Sequence, residues 1–167
     1  MGSAVLEETT RRFLDDPQSA RTAPAVVAAL ANGHVRLSAG PFNWESDLPT
    51  SVGGGNQAPS PTAYLLGALA GCAVAFLNDT LAPQFEVEVE HVTATARCTA
   101  DLAGLLGVDR VRPDLQDVAI EIEITSPSPD DRVQAMQQAW LERCPVYLSL
   151  VRPVDVAVTF RRPEQRS

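Results

Sequence analysis

The side chains best suited to covalent chemistry are three cysteines, Cys72, Cys98 and Cys144. Only two histidines, His34 and His91, accompany them, and no CxxC pair occurs. This pattern does not match a structural zinc site, which gathers four Cys or His ligands in closely spaced pairs. The chemistry open to the thiols is redox: a thiolate attacks an electrophile, is oxidised, and is resolved by a second thiolate. Three thiols leave room for one such pair and a bystander. Cys72 lies twelve residues after Ser60, deep in an apolar helix and beyond the N-terminal dipole, which fades within one turn. A reactive Cys72 needs a cation beside it and a path to solvent past the loop 53–61. Without them it is an inert packing residue, as buried thiols commonly are. Cys144 precedes Pro145, which sets where the thiol points; its structural reading is a small residue closing a helix. Cys98 ends a strand beside Thr99 and Asp101 and reads as a bystander.

A few elements must position these residues. Ser60 is a good N-cap and Pro61 suits the first helical position. The helix they open is expected to run to about Leu81, apolar on nearly every face, and so to be central and covered on all sides. Gly67, Ala68, Ala70, Gly71, Ala73 and Ala75 keep it thin. Ahead of it, Leu48 to Pro61 holds three consecutive glycines and three prolines, a loop. Further upstream, Ala25–Leu30 and His34–Ser38 flank Ala31-Asn32-Gly33, which predicts a hairpin. Pro41 to Asp47 reads as a third short strand. Downstream, Phe85, Val87 and Val89 alternate with acids before the apolar phase moves to Val92, Ala94 and Ala96. That pattern predicts one strand with a bulge. Val118–Ile124 and Val154–Phe160 alternate as strands with one buried face. A long connection, 101–114, precedes the first of these. Ser128-Pro129-Asp130-Asp131 predicts a second helix capped by Ser128, carrying Val133, Met136, Gln137, Trp140 and Leu141. It should stop near Arg143, because Pro145 disfavours helical geometry at Cys144. The fold class is α+β with an antiparallel sheet wrapped around a long buried central helix.

Composition sets limits on function. With 167 residues, 45% hydrophobic and 20% charged, the chain reads as one domain, 1–167, able to bury roughly 70% of its unfolded surface. Residues 1–20 form an N-terminal extension anchored by Phe13 and Leu14. The net charge of −8 repels phosphate backbones, so no nucleic acid partner is expected. The longest apolar run, Thr62–Leu77, has 16 residues and falls short of the about 20 needed to cross a bilayer, so no membrane is expected. No apolar h-region follows the N-terminus. The expected location is cytoplasmic, where thiols rest reduced.

Together the motifs resemble those of the OsmC/Ohr family. The run Gly53-Gly54-Gly55-Asn56-Gln57-Ala58-Pro59-Ser60-Pro61, followed by Leu65-Leu66-Gly67-Ala68-Leu69-Ala70-Gly71-Cys72, is similar to the loop and central helix of that family. Arg143-Cys144-Pro145-Val146 resembles its C-terminal cysteine motif, and Val154–Phe160 fits its closing strand. The resemblance covers about Val26 to Phe160. It implies an intertwined homodimer with two central helices packed together and active sites at the interface. It also implies a thiol-dependent peroxidase acting on hydroperoxides, often organic ones. By motif position Cys72 corresponds to the peroxide-attacking cysteine and Cys144 to the resolving one. A disulfide would form between them and be reduced by an external dithiol, with no metal or cofactor.

Hydroperoxide reductases of this family add an Arg that stabilises the thiolate and a Glu, two residues before the glycine pair, that holds the Arg. Here that position is Ser51. Arg36 is the nearest candidate cation, with Arg21 second; Glu45 or Asp47 would supply the carboxylate. An apolar lining from Leu65, Leu69, Phe76 and Trp140 is expected to bind the substrate and to favour organic peroxides over hydrogen peroxide. Two competing readings keep the fold and change the function. One is a non-catalytic dimeric protein binding a small ligand in the apolar interface, with both cysteines as packing residues. The other is a redox sensor signalling through the same disulfide.

Overall fold

The computed structural model describes residues 2–152 and 154–162. Helix α1 spans Gly2–Asp15 and is followed by a 3-10 turn, Pro17–Ala20. Phe13 is half-buried, but Leu14 is 77% exposed, so it is no anchor. Strands β1 (Val27–Ala31), β2 (His34–Ala39) and β3 (Phe42–Ser46) form an antiparallel sheet in chain order. Asn32 and Gly33 both have positive φ, 52° and 88°. That is the left-handed pair a two-residue hairpin turn requires.

Helix α2, Pro61–Ala75, starts where the sequence predicts. The Ser60 hydroxyl accepts from the Ala63 amide, and Pro61 fills the first position. It continues without a break through a π-helix, Phe76–Leu81, and α3, Ala82–Gln84. The whole run, Pro61–Gln84, has 24 residues at a mean hydropathy of 1.6. By length and composition alone it could cross a membrane; a core helix of a globular domain meets the same description. Leu69, Ala73, Leu77 and Leu81 make a buried stripe, whereas Gly67, Ala68, Gly71 and Ala75 stay exposed. Within one chain the helix is therefore covered on one side, not on all.

The residues after the helix depart from expectation. The segment 85–90 is not strand. The Val87 amide donates back to the Ala82 carbonyl, and Glu86 adopts φ 52°. This is the left-handed closure of a helix C-terminus. The apolar phase switch therefore marks a helix cap rather than a bulge. Strand β4 begins only at His91 and runs to Thr99. It is followed by a short helix α4, Leu102–Leu105, and by β5, Gln116–Thr125. Val92, Ala94 and Ala96 pair with Ile124, Ile122 and Ile120 on the face toward α2. The register irregularity lies between Arg97 and Thr99.

Helix α5 spans Asp130–Arg143 with Asp130 and Asp131 in its first turn, as acids at a positive helix end should be. Its N-cap position is Pro129, not Ser128. The Ser128 hydroxyl instead accepts from the Glu88 amide at 2.8 Å, tying the post-helix segment to the start of α5. Helix α6, Pro145–Val151, follows at once and was not foreseen. The core gathers Ala73, Leu77, Leu81, Met136, Ala139, Trp140 and Cys144 between α2 with its π-helix, α5 and the β4–β5 hairpin. Residues 154–160, expected as a closing strand, take up no ladder in this chain. Val154, Val156, Val158 and Phe160 are 59%, 76%, 70% and 96% exposed.

Candidate active site

The site is made where α2 crosses the junction of α5 and α6. Cys72 lies on α2 at the border between the buried stripe and the exposed small-residue face. Cys144 is at once the C-cap of α5 and the N-cap of α6, with φ −65° and ψ 112°. That extended ψ is what a following proline imposes. Pro145 then opens α6, where its missing N–H costs nothing. The Cys144 amide donates to the Trp140 carbonyl and its own carbonyl accepts from Leu148, so the kink is hydrogen-bonded on both sides. The result is a thiol held in one place, 0% exposed, with its sulfur 3.5 Å from that of Cys72. The two residues are 72 positions apart in sequence. A disulfide needs the sulfurs at about 2.0 Å, so closure takes a movement of about 1.5 Å, within reach of side-chain rotation.

The electrostatics around Cys72 favour its protonated form. Burial pushes the Cys72 thiol above its ordinary pKa, and the hydrogen bond and charge of the adjacent Cys144 push the same way. The Val146 amide, at the start of α6, acts in the opposite direction by donating toward the Cys72 sulfur. Neither arginine foreseen for this role is among the groups acting on Cys72. Arg36 lies on β2, exposed, opposite Glu45 on β3. Arg21 is exposed after the 3-10 turn. The two candidate acids are engaged elsewhere. The Glu45 carboxylate lies 3.3 Å from His34 Nε2. Asp47 is buried, and its carboxylate accepts from the amides of Leu48, Gly55 and Gln57. Those bonds, Gln57 first, hold its pKa below the usual carboxylate range. Asp47 therefore folds the glycine loop that leads into α2. Gly54 is required in that loop, because a Cβ there would overlap the Leu48 carbonyl. The signal for Asp47 was a lone acid ahead of a glycine run, readable as an organiser of loop amides.

The predicted apolar lining divides between two cavities. Leu65 and Leu69 line one of about 350 Å³ with Leu115, Val118, Tyr147 and Val151. Trp140 lines another of about 390 Å³ with Leu77, Ile122, Ile124 and Leu141. Ile120 and Tyr147 border both. Phe76 lines neither and packs against the core. Tyr147, which sequence reasoning missed, stacks on Trp140 with ring centroids 5.1 Å apart and flanks Cys144 from the α6 side. Cys98 on β4 is half-buried and takes no part in the sulfur contact.

Comparison with known proteins decides the kinship. The family model described as OsmC-like protein matches residues 53–159, more than half of the chain. The chain belongs to the OsmC-like family. That match takes in both cysteines, the glycine loop from Gly53 onward and all of α2. Among solved structures, an OsmC-like protein from Mycoplasma pneumoniae superposes with a TM-score of 0.64 at 19% identity, covering 78% of this chain and 88% of that one. A protein from Legionella pneumophila named organic hydroperoxide resistance protein OsmC gives 0.58 at 19%, covering 78% and 90%. The organic hydroperoxide resistance protein OhrB of Bacillus subtilis gives 0.51 at 14%, covering 80% and 94%. At these identities the likeness is one of fold: an OsmC-like α+β architecture with antiparallel sheets around a central helix. No curated protein matches the chain.

Proposed function

We propose that this OsmC-like chain is a thiol-dependent hydroperoxide reductase, with Cys72 as the attacking thiol and Cys144 as the resolving one. The observation that carries the reading is the 3.5 Å separation of two sulfurs 72 residues apart. Structural neighbours named for organic hydroperoxide resistance support the choice of oxidant. The Cys72 thiolate attacks the terminal peroxide oxygen. The O–O bond breaks, an S–O bond forms, and the leaving alkoxide takes a proton and departs as the alcohol. Sulfur is oxidised by two electrons to a sulfenic acid. The Cys144 thiolate then attacks that sulfur, the S–O bond breaks, the leaving hydroxide takes a proton and departs as water, and the disulfide closes. An external dithiol, as a cytoplasmic setting supplies, restores both thiols. The apolar cavities bordered by Leu65, Leu69 and Trp140 would receive the organic part of the peroxide.

We further propose a homodimer. The apolar row Val154, Val156, Val158 and Phe160 and the small-residue face of α2 are both exposed in the single chain. Burial against a second copy would remove both from water.

Thiol titration tests the chemistry. The reduced chain has three cysteines; one equivalent of cumene hydroperoxide should leave one reactive thiol. Cys72→Ser should abolish the loss, and Cys144→Ser should stop at a sulfenic acid that dimedone traps. Three thiols surviving excess peroxide would refute the reading. One alternative, a redox sensor, would show the two-thiol loss without sustained peroxide consumption in the presence of a dithiol. Undiminished thiols together with occupancy of the cavities would instead mark a non-catalytic binding protein.

A further inference from the structure

Trp140 is 4% exposed, and among the described residues its indole N–H is the only buried side-chain nitrogen or oxygen without a hydrogen bond. Buried donors are almost always paired, so an orphan asks for an acceptor. The ring is fixed by Tyr147, stacked on it at 5.1 Å between centroids. It borders the cavity of about 390 Å³ between α5 and β5. The walls there are aliphatic: Leu77, Leu141 and the isoleucine row of β5. Gln137 and Leu141 are exposed and mark the mouth. Every wall comes from this chain. Leu77 stands on the buried stripe of α2, not on the small-residue face assigned above to the second copy.

We infer that this cavity binds an uncharged apolar molecule carrying a carbonyl oxygen, a ketone or an ester, and that this oxygen accepts from the Trp140 indole. An indole nitrogen donates and never accepts, so the ligand must bring the acceptor. No lining residue carries a charge, so a carboxylate or an ammonium would enter without a counter-ion, at a large desolvation cost. A carbonyl accepts without bringing a donor of its own against aliphatic walls. Water fits the space poorly. One water takes roughly 30 Å³ and needs two to four polar partners, whereas most of this wall offers none. The volume lies in the range that small organic ligands fill. Binding rests on none of the thiol chemistry proposed above, since neither sulfur lines the cavity.

Titration of butyrophenone into the full-length, reduced, isotope-labelled protein tests the proposal by NMR. The chain has two tryptophans, Trp44 and Trp140. One indole N–H signal should move downfield and saturate at one butyrophenone per chain, and Trp140→Phe should identify that signal by deleting it. Butylbenzene, with a methylene in place of the carbonyl, should not move it downfield. Trp140→Phe should weaken butyrophenone about tenfold, as the loss of one hydrogen bond implies, and should not weaken butylbenzene. Leu141→Trp, which narrows the mouth and leaves the indole in place, should abolish binding of both, so the proposal does not depend on how the Phe variant folds. An indole signal that stays put in the parent protein would overturn the proposal, as would butylbenzene binding as tightly as butyrophenone. So would an indole signal that moves on dilution and not with butyrophenone, because a second copy of the chain would then supply the acceptor.

Discussion

At the scale of single residues, reactivity turns on the Cys72 proton. Its pKa is raised, chiefly by burial and then by Cys144, so at neutral pH Cys72 is mostly protonated. Because the thiolate is the nucleophile, the rate of peroxide consumption should climb about tenfold per pH unit between pH 7 and 8.5. Stopped-flow mixing with cumene hydroperoxide reads this directly; a rate already flat at pH 7 would mean that a cation from outside this subunit lowers the pKa. The linkage to stability runs opposite to the rate. A thiol whose folded pKa lies above its unfolded one stabilises the fold below the unfolded pKa, and that contribution fades as pH rises through the folded value. Asp47 runs the other way. Its depressed pKa contributes stability above the unfolded carboxyl pKa of about 3.9, lost as pH falls through the lower folded value. Asp47→Ala should lower the melting temperature at pH 7 and make the loop 48–57 a preferred protease site, while narrowing the gap to the parent protein in acid.

At the scale of elements, one proline decides whether the thiols meet. Pro145 ends α5 at Arg143 and turns Cys144 into a shared cap. Pro145→Ala permits α5 to run on into α6 and carry the Cys144 sulfur away from α2. The expected outcome is a sulfenic acid that forms at the parental rate but survives longer. Dimedone trapping at timed intervals measures its lifetime, and an unchanged lifetime would count against the role given to this kink. The glycine loop makes a second element-scale demand. Gly54→Ala forces a side chain into the Leu48 carbonyl. Since backbone must move, a loss of about 3 kcal/mol is expected from urea unfolding.

At the scale of the whole molecule, the single chain leaves an apolar row at 154–160 and an apolar helix face uncovered. Sedimentation should give twice the 17.9 kDa chain mass. Val156→Glu, which puts a charge in the middle of the row, should shift the population toward one chain. A parental protein that sediments as one chain at micromolar concentration would sink the dimer.

Local physics made much of this protein readable from its residues. The Ser60–Pro61 helix start, the Asn32-Gly33 turn and the halt of α5 before Pro145 each rest on near neighbours in sequence, and each stands as read. The reading failed where a distant partner decides. Phe85–Glu90 alternates like a strand, yet α3 uses those residues to close its end and Ser128 ties Glu88 down. Val154–Phe160 alternates as well, but a strand needs a neighbour, and none lies there among the described residues. Leu65 and Trp140 were grouped by apolarity, and packing assigned them to separate cavities. The meeting of Cys72 with Cys144 lay beyond any local rule. The sequence determined two thiols on stiff, well-delimited elements; only the crossing of α2 with the α5–α6 junction brought their sulfurs within 3.5 Å, because contact between residues 72 apart is set by how the core packs.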